Sequence, residues 1–240
     1  MSKPLTAFLS FFCALLCHAQ SDSAEHYSAA INNAVQVYQR SRGTESNLYI
    51  GPALEQSNFS GKGSPYYRSG DWSTGTVLYD GTVYENVSLK YDLVLDQLVV
   101  FNPNTRTAFY IFKPRVENFS LGDKYFINLR KGTNRSAPSE GFYEQLTEGP
   151  ITILRKDTKT YQENFGIGNV VEQRYDEKIR YYAMKDGVYH ELSNANSLYA
   201  LCGSYSKQIK DNLKKQTLTN QTNNEQTFRA IAEQYNQLAK

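Results

Sequence analysis

The sequence predicts an α+β protein that is mainly β: an antiparallel meander sheet or partly closed barrel with an N-terminal helix and two C-terminal helices. Three observations lead there. From about Leu48 to Leu192 apolar and aromatic residues recur with period two, and turn residues interrupt them at short intervals. Spacings of three and four, which place side chains on one stripe of a helix, occur only over residues 22–41 and again beyond Asn194. The 19 tyrosines and 12 phenylalanines among 240 residues suit a pleated, half-buried surface.

The chain opens with Lys3, an apolar run from Leu5 to Leu16, and then Cys17-His18-Ala19. A short positive region, an apolar stretch and small residues before a scissile bond read as a secretory signal, so residues 1–19 are expected to be removed between Ala19 and Gln20. The run is well short of the roughly 20 residues a spanning helix needs, and no transmembrane segment is expected after cleavage. Leu16 precedes Cys17 and Phe12 precedes Cys13, where a lipidated cysteine would need a small neighbour. The expected location is the periplasm or the cell exterior. Cleavage takes Cys13 and Cys17 and leaves Cys202, which excludes an internal disulfide. Losing Lys3 from 26 basic residues leaves 25 against 24 acidic ones, too even a balance to draw the protein to nucleic acid or an anionic membrane.

Residues 20–45 form the first element, with Tyr27, Ala30, Ile31, Ala34, Val35 and Tyr38 on one helical stripe and Gly43 near its end. Residues 46–192 form the β domain. Within it Val87, Leu89, Tyr91, Leu93 and Leu95 alternate onto one strand face, which puts Ser88, Lys90 and Asp92 on the other, solvated one. Asp80-Gly81 is expected to make a tight hairpin, a device repeated at Asp186-Gly187, because glycine accepts positive φ at little cost. Asp96 and Asn102-Pro103-Asn104 turn the chain again. Strands follow at Ala108–Phe112, Val116–Leu121, Tyr125–Leu129, Phe142–Leu146 and Ile151–Leu154, with a surface loop over Lys131–Glu140. A loose segment, Gln162–Asn169, precedes strands at Val170–Tyr175, Ile179–Met184 and Val188–Leu192. Several of these are shorter than a tilted spanning strand, which argues against a transmembrane barrel. Residues 193–240 are helical and pack on the β domain, through Leu198, Leu201, Ile209 and Leu213 and then Phe228, Ile231, Ala232, Tyr235 and Leu238, with Thr222 or Asn223 capping the second helix.

The sequence carries few reactive constellations. Cleavage leaves only His26 and His190, so zinc spacing is absent and neither a metal nor a cofactor is expected. There is no Gly-x-Ser-x-Gly, and Gly166-Ile167-Gly168 lacks the third glycine of a dinucleotide fingerprint. His190 reads as a strand-face residue, and Cys202, four residues after Leu198, as a buried thiol. Trp72 is the sole tryptophan and lies with Tyr66 and Tyr67 in a glycine-containing loop, an arrangement suited to stacking a sugar or peptide.

The order of motifs carries a resemblance. Tyr49-x-Gly51, Trp72-x-x-Gly75, Tyr79-Asp80-Gly81, Leu89-x-Tyr91-Asp92-Leu93, Gly141-Phe142-Tyr143, Lys185-x-Gly187-Val188-Tyr189 and Tyr235-Asn236 together resemble a family of exported proteins of Gram-negative, Bacteroidota-like bacteria with no assigned activity. That resemblance implies an exported address and this architecture, and it carries over no catalytic residue. The favoured expectation is a structural or binding module of the cell envelope, with an envelope protein or a carbohydrate as partner. A hydrolase using Asp71, Asp92 and Asp96 is the first alternative, and requires those carboxylates to converge. An adaptor working through the C-terminal helices is the second, and requires an uncovered stripe along Phe228, Ile231 and Tyr235.

Overall fold

The computed structural model describes residues 47–54, 63–130, 138–165, 171–215 and 223–239. The expected signal segment and the helix over residues 20–45 lie outside them. Ten strands form one antiparallel sheet: β1 Ser73–Tyr79, β2 Thr82–Asp92, β3 Gln97–Asn102, β4 Thr107–Tyr110, β5 Val116–Leu121, β6 Lys124–Leu129, β7 Gly141–Gln145, β8 Ile151–Phe165, β9 Val171–Lys185 and β10 Val188–Leu192. Three helices follow: α1 Ala195–Leu201, α2 Ser206–Lys215 and α3 Asn224–Leu238. The protein is thus the mainly β α+β fold that the periodicities predict, and its sheet is open, with β10 and β4 at the two ends.

The order β10-β9-β8-β7-β6-β5-β1-β2-β3-β4 is a meander with one departure, where β1 pairs with β5 as well as with β2. The predicted turns account for the hairpins. Asp80 and Gly81 have φ of 53° and 72°, and Asp186 and Gly187 of 51° and 75°, so both hairpins turn with two successive positive-φ residues, whose twist matches that of the flanking strands. The β2–β3 and β3–β4 connections share another device. Asp92 Oδ1 accepts from the Val94 and Leu95 amides, and Asn102 Oδ1 from those of Asn104 and Thr105; four residues past each, Asp96 and Arg106 reverse the chain at φ of 52° and 55°.

Two expectations about β2 need correction. The strand ends at Asp92, so Leu95 lies in the turn and is exposed, while Val87, Leu89, Tyr91 and Leu93 are buried as predicted. Asp92 is not on a solvated face: it is buried, because its two oxygens are used by the turn amides and by the Tyr110 hydroxyl. The segment from Leu48 to Trp72 also contains less strand than the alternation suggested, holding only a short 3₁₀ turn at Asn47–Tyr49 and two isolated bridges among its described residues.

The largest correction concerns β8 and β9. Among the described residues, the expected short strands and the start of the loose segment belong to two long strands paired without interruption from Ile151↔Lys185 to Phe165↔Val171, and residues 166–170 lie outside them.

The sheet curls. The Lys159 amide in β8 donates to the Leu93 carbonyl just past β2 at 3.2 Å, although β7, β6, β5 and β1 separate those strands in sheet order. Inside the curl lie Leu89, Tyr91, Phe119, Phe126 and Phe142, with Phe119 and Phe126 stacked at 4.7 Å and Tyr91 edge-on to both.

A second core forms where the helices cover the β8–β10 end. Asn194 caps α1 through a reciprocal bond with Ser197, and Asn223 caps α3. Phe228, Ile231, Ala232 and Tyr235 of α3 then pack with Ile151, Ile153, Ala183, Cys202 and Ile209. Asn236 Oδ1 accepts from the Ile151 amide at 2.8 Å and its Nδ2 donates to the Ile151 carbonyl at 2.9 Å, so one side chain bonds both main-chain groups of the first residue of β8. Arg155 grips Asp157 with two nitrogens and reaches Glu225 of α3 at 2.6 Å, adding an ionic tie between the layers. No helix among the described residues is long and apolar enough to cross a membrane.

Candidate ligand-binding cleft

Residues 64–72 are held over the curled sheet by main-chain bonds. The Tyr67 amide donates to the Tyr91 carbonyl at 2.8 Å, the Leu93 amide to the Pro65 carbonyl at 2.9 Å, and Lys159 Nζ to the carbonyls of Ser64 and Tyr66 at 2.9 and 2.6 Å. Arg68 turns the segment at φ 53°. Gly70, at φ 78°, passes so near Ser64 that an added Cβ would meet its hydroxyl oxygen at 2.6 Å.

This path opens a polar cleft of about 210 Å³ between the segment, the start of β1, the end of β2 and the β5–β6 turn, with Tyr66, Arg68, Asp71, Ser73, Lys90 and Asp123 among its lining residues. Lys90 is the residue that organises it. Trp72 immediately precedes β1, whose register pairs Ser73 with Leu89, and so falls beside Lys90. The ammonium sits 4.6 Å from the centre of the Trp72 ring and 5.0 Å from that of Tyr66. Burial lowers the Lys90 pKa, and the nearby Asp71 carboxylate works against that shift. Trp72 also leans on Phe101 at 5.4 Å and remains 38 % exposed.

The three candidate stacking residues therefore divide. Tyr66 lines the cleft and shares Lys90 with Trp72, which flanks the lysine without lining the cleft itself. Tyr67 is buried: its ring meets Phe126 edge-on and its hydroxyl donates to Glu144 Oε2 at 3.1 Å, so it forms part of the floor. Burial first, and the Glu144 charge second, push the Tyr67 hydroxyl pKa up.

The candidate acids divide as well. Asp71 is exposed at the cleft, and Asp92 serves the β2–β3 turn and Tyr110. Asp96 lies in a cluster of cations: Lys156 Nζ is 2.6 Å from its Oδ1, Lys113 Nζ 2.6 Å from its Oδ2, and the Tyr91 hydroxyl donates to Oδ1 at 2.5 Å. Lys156 also donates to the Phe142 carbonyl at 3.0 Å, across the β7–β8 ladder where its pairing ends at Glu144↔Arg155. Another acid, the buried Glu144, faces Lys124 at 3.3 Å and Arg229 at 3.8 Å.

His190 lies on β10, and Cys202 is buried with its thiol pushed up to about 11, chiefly by burial, which keeps it protonated and inert at neutral pH. No group of three or more His, Cys, Asp or Glu residues able to hold a metal ion occurs among the described residues. Sequence reasoning missed Lys90, Lys156 and Glu144. The signal for Lys90 is its cross-strand relation to Trp72, which depends on a register that becomes visible only when β1 and β2 are paired. No family model, curated protein or solved structure matches the chain.

Proposed function

We propose that this chain is an exported cell-envelope protein that acts by binding, with the Tyr66–Lys90 cleft and the Trp72 ring that flanks Lys90 as its recognition site. The observation that carries the reading is the seat of Lys90 between two aromatic rings beside a cleft lined by both charges. Arg68 and Lys90 offer donors, Asp71 and Asp123 acceptors, and Ser69 and Ser73 hydroxyls that do both. That balance suits an uncharged polyhydroxylated or zwitterionic group. At about 210 Å³ the cleft is smaller than the roughly 300–1,000 Å³ of sites that enclose a whole drug-sized ligand. It would admit one terminal unit of a larger envelope component. The hydrolase alternative has less support because Asp92 is taken up by the β2–β3 turn and Tyr110, and Asp96 by Lys113 and Lys156, while of the three only Asp71 lines the cleft. The adaptor alternative has less support because Phe228, Ile231 and Tyr235 are covered by the β8–β10 end of the sheet.

Two measurements test the reading. Amino-terminal sequencing of the protein recovered from producing cells should begin at Gln20; an intact leader on cytosolic protein would overturn the exported assignment. Co-sedimentation with isolated envelope should weaken about tenfold or more in Trp72→Ala, which removes one ring of the Lys90 seat from a partly exposed position. Equal partitioning of a folded Trp72→Ala protein would rule out the cleft as the recognition site.

A further inference from the structure

A second concavity, of about 630 Å³, lies away from the cleft where residues 47–52 meet the corner between β4 and β5. Its lining includes the apolar side chains of Ile50, Pro52, Tyr110 and Phe112 beside the polar Asn47 and Gln97, and two of the apolar ones are held open to solvent: Ile50 is 67 % exposed and Phe112 58 %. Large apolar side chains held on both sides of a groove of this volume are the usual setting of a small-molecule site.

The groove is built rather than incidental. Residues 52–54 run along the outer edge of β4, joined to it by Tyr110 N to Pro52 O at 3.0 Å, Leu54 N to Ala108 O at 2.8 Å and the isolated Ala53↔Phe109 bridge. Gly51 is pressed against the Tyr110 carbonyl, whose oxygen would lie 2.0 Å from any added Cβ. Both walls are thereby fixed to the same strand, and the opening exists before a ligand arrives.

Charge selects the ligand. The lining residues include Lys113 and Arg115 and no acid. Lys113 is committed to Asp96 at 2.6 Å. Arg115 is held only at 3.9 Å from an exposed Asp80 and is itself about half exposed, with its guanidinium 5.9 Å from the centre of the Phe112 ring. A planar cation beside an exposed aromatic ring, at the edge of an apolar groove, fits a carboxylate carried on a hydrocarbon body.

We propose that this groove binds a medium-chain alkyl carboxylate, with Arg115 receiving the carboxylate and Ile50 and Phe112 enclosing the chain. The site is separate from the Tyr66–Lys90 cleft and does not depend on the function proposed for it. Calorimetric titration of the purified protein with decanoate, decyltrimethylammonium and decyl maltoside, each below its micelle concentration, tests the proposal. Decanoate should bind with one-to-one stoichiometry and the other two much more weakly. Arg115→Gln should weaken decanoate roughly tenfold, the loss expected for one charge-assisted contact, while an unchanged thermal midpoint shows the fold intact. Ile50→Ser should weaken all apolar binding, and Trp72→Ala should leave decanoate binding as it was. Absence of decanoate binding, equal binding of the three amphiphiles, or indifference to Arg115→Gln would each overturn it.

Discussion

Replacing Asp96 by alanine is expected to destabilise the protein by about 3–5 kcal/mol, the cost of leaving a buried charge without its partner. The charge is the Lys156 ammonium, whose side chain is 8 % exposed and whose ionic partner at 2.6 Å is Asp96. Its other contacts, the Phe142 carbonyl at 3.0 Å, the Tyr91 hydroxyl at 3.5 Å and the Tyr143 ring at 5.1 Å, are dipoles and cannot neutralise it. Urea unfolding should show the loss as a lower midpoint with an unchanged slope. Lys156→Met alone should cost less, because Asp96 keeps Lys113 at 2.6 Å. The double variant should recover much of the loss of Asp96→Ala, since an apolar side chain is easily accommodated where the ammonium was. Additive losses would show that the two residues do not act as a pair.

The same cluster sets a pH dependence. Burial on its own raises the Asp96 pKa, but the Lys156 charge and hydrogen bonds from Lys113, Lys156 and Tyr91 outweigh it and hold the carboxyl below its ordinary range. A carboxyl depressed in the folded state adds stability that is complete above its unfolded pKa of about 4 and is lost as the pH falls through the folded value. The stability gap between wild type and Asp96→Ala should therefore be level near neutrality and close on acidification below about pH 4. A gap that widened in acid would contradict the assignment.

Asp96 also shows what the sequence could and could not reveal. Its turn was legible: an aspartate ending an apolar alternation and followed by another predicts a reversal, and the residue has φ 52°. Its ion cluster was not, because Lys113 and Lys156 are 17 and 60 positions away and reach it only through the curl. The β8–β9 ribbon was missed for a different reason. Past Leu154 its sequence, Arg155-Lys156-Asp157-Thr158-Lys159, is polar on both faces, and the two buried side chains there, Lys156 and Asp157, are held by ion pairs with Asp96 and Arg155 in place of apolar packing. Hydrophobic alternation reports strands whose buried positions are apolar, and a strand whose buried positions are filled by paired charges gives no such signal. The helices were legible because Phe228, Ile231 and Tyr235 all meet one surface, so their spacing mirrors a single buried stripe. Several residues of the sequence motifs have structural roles: Asn236 satisfies the first residue of β8, Gly51 clears the Tyr110 carbonyl, and Gly141 leaves room for the Asp96–Lys156 pair, where a Cβ would come within 2.2 Å of Asp96 Oδ2. Motifs with such roles define an architecture and leave the ligand undefined, which is why the cleft emerged from the paired strands and not from the motif order.

Gly75→Ala is expected to cost about 3 kcal/mol or more, at or beyond the upper end of overpacking effects, because it strikes the one junction where sheet order departs from chain order. β1 holds β2 on one side and β5 on the other, and every strand from β5 to β10 joins β1–β4 in the sheet through this pairing. A Cβ at Gly75 would lie 1.9 Å from the Ser120 carbonyl oxygen and 2.9 Å from Leu89 Cδ1. The first of these is main chain and cannot swing aside as a side-chain end could, so β5 must move away from β1. Movement there would break the bond from the Thr76 amide to Ser120 Oγ at 2.9 Å and loosen the Val77↔Phe119 pairing that puts Phe119 into the aromatic core. Gly81→Ala is the matched comparison: it has φ 72° in an open hairpin with nothing within 4 Å of the added Cβ, so it bears only the conformational cost of roughly 1–2 kcal/mol. In hydrogen exchange, Gly75→Ala should lower protection first at residues 116–121, while Gly81→Ala should affect mainly the β1–β2 hairpin. If the two substitutions proved equally costly and left the β5 amides equally protected, the β1–β5 junction would not be the tight seam that unites the sheet.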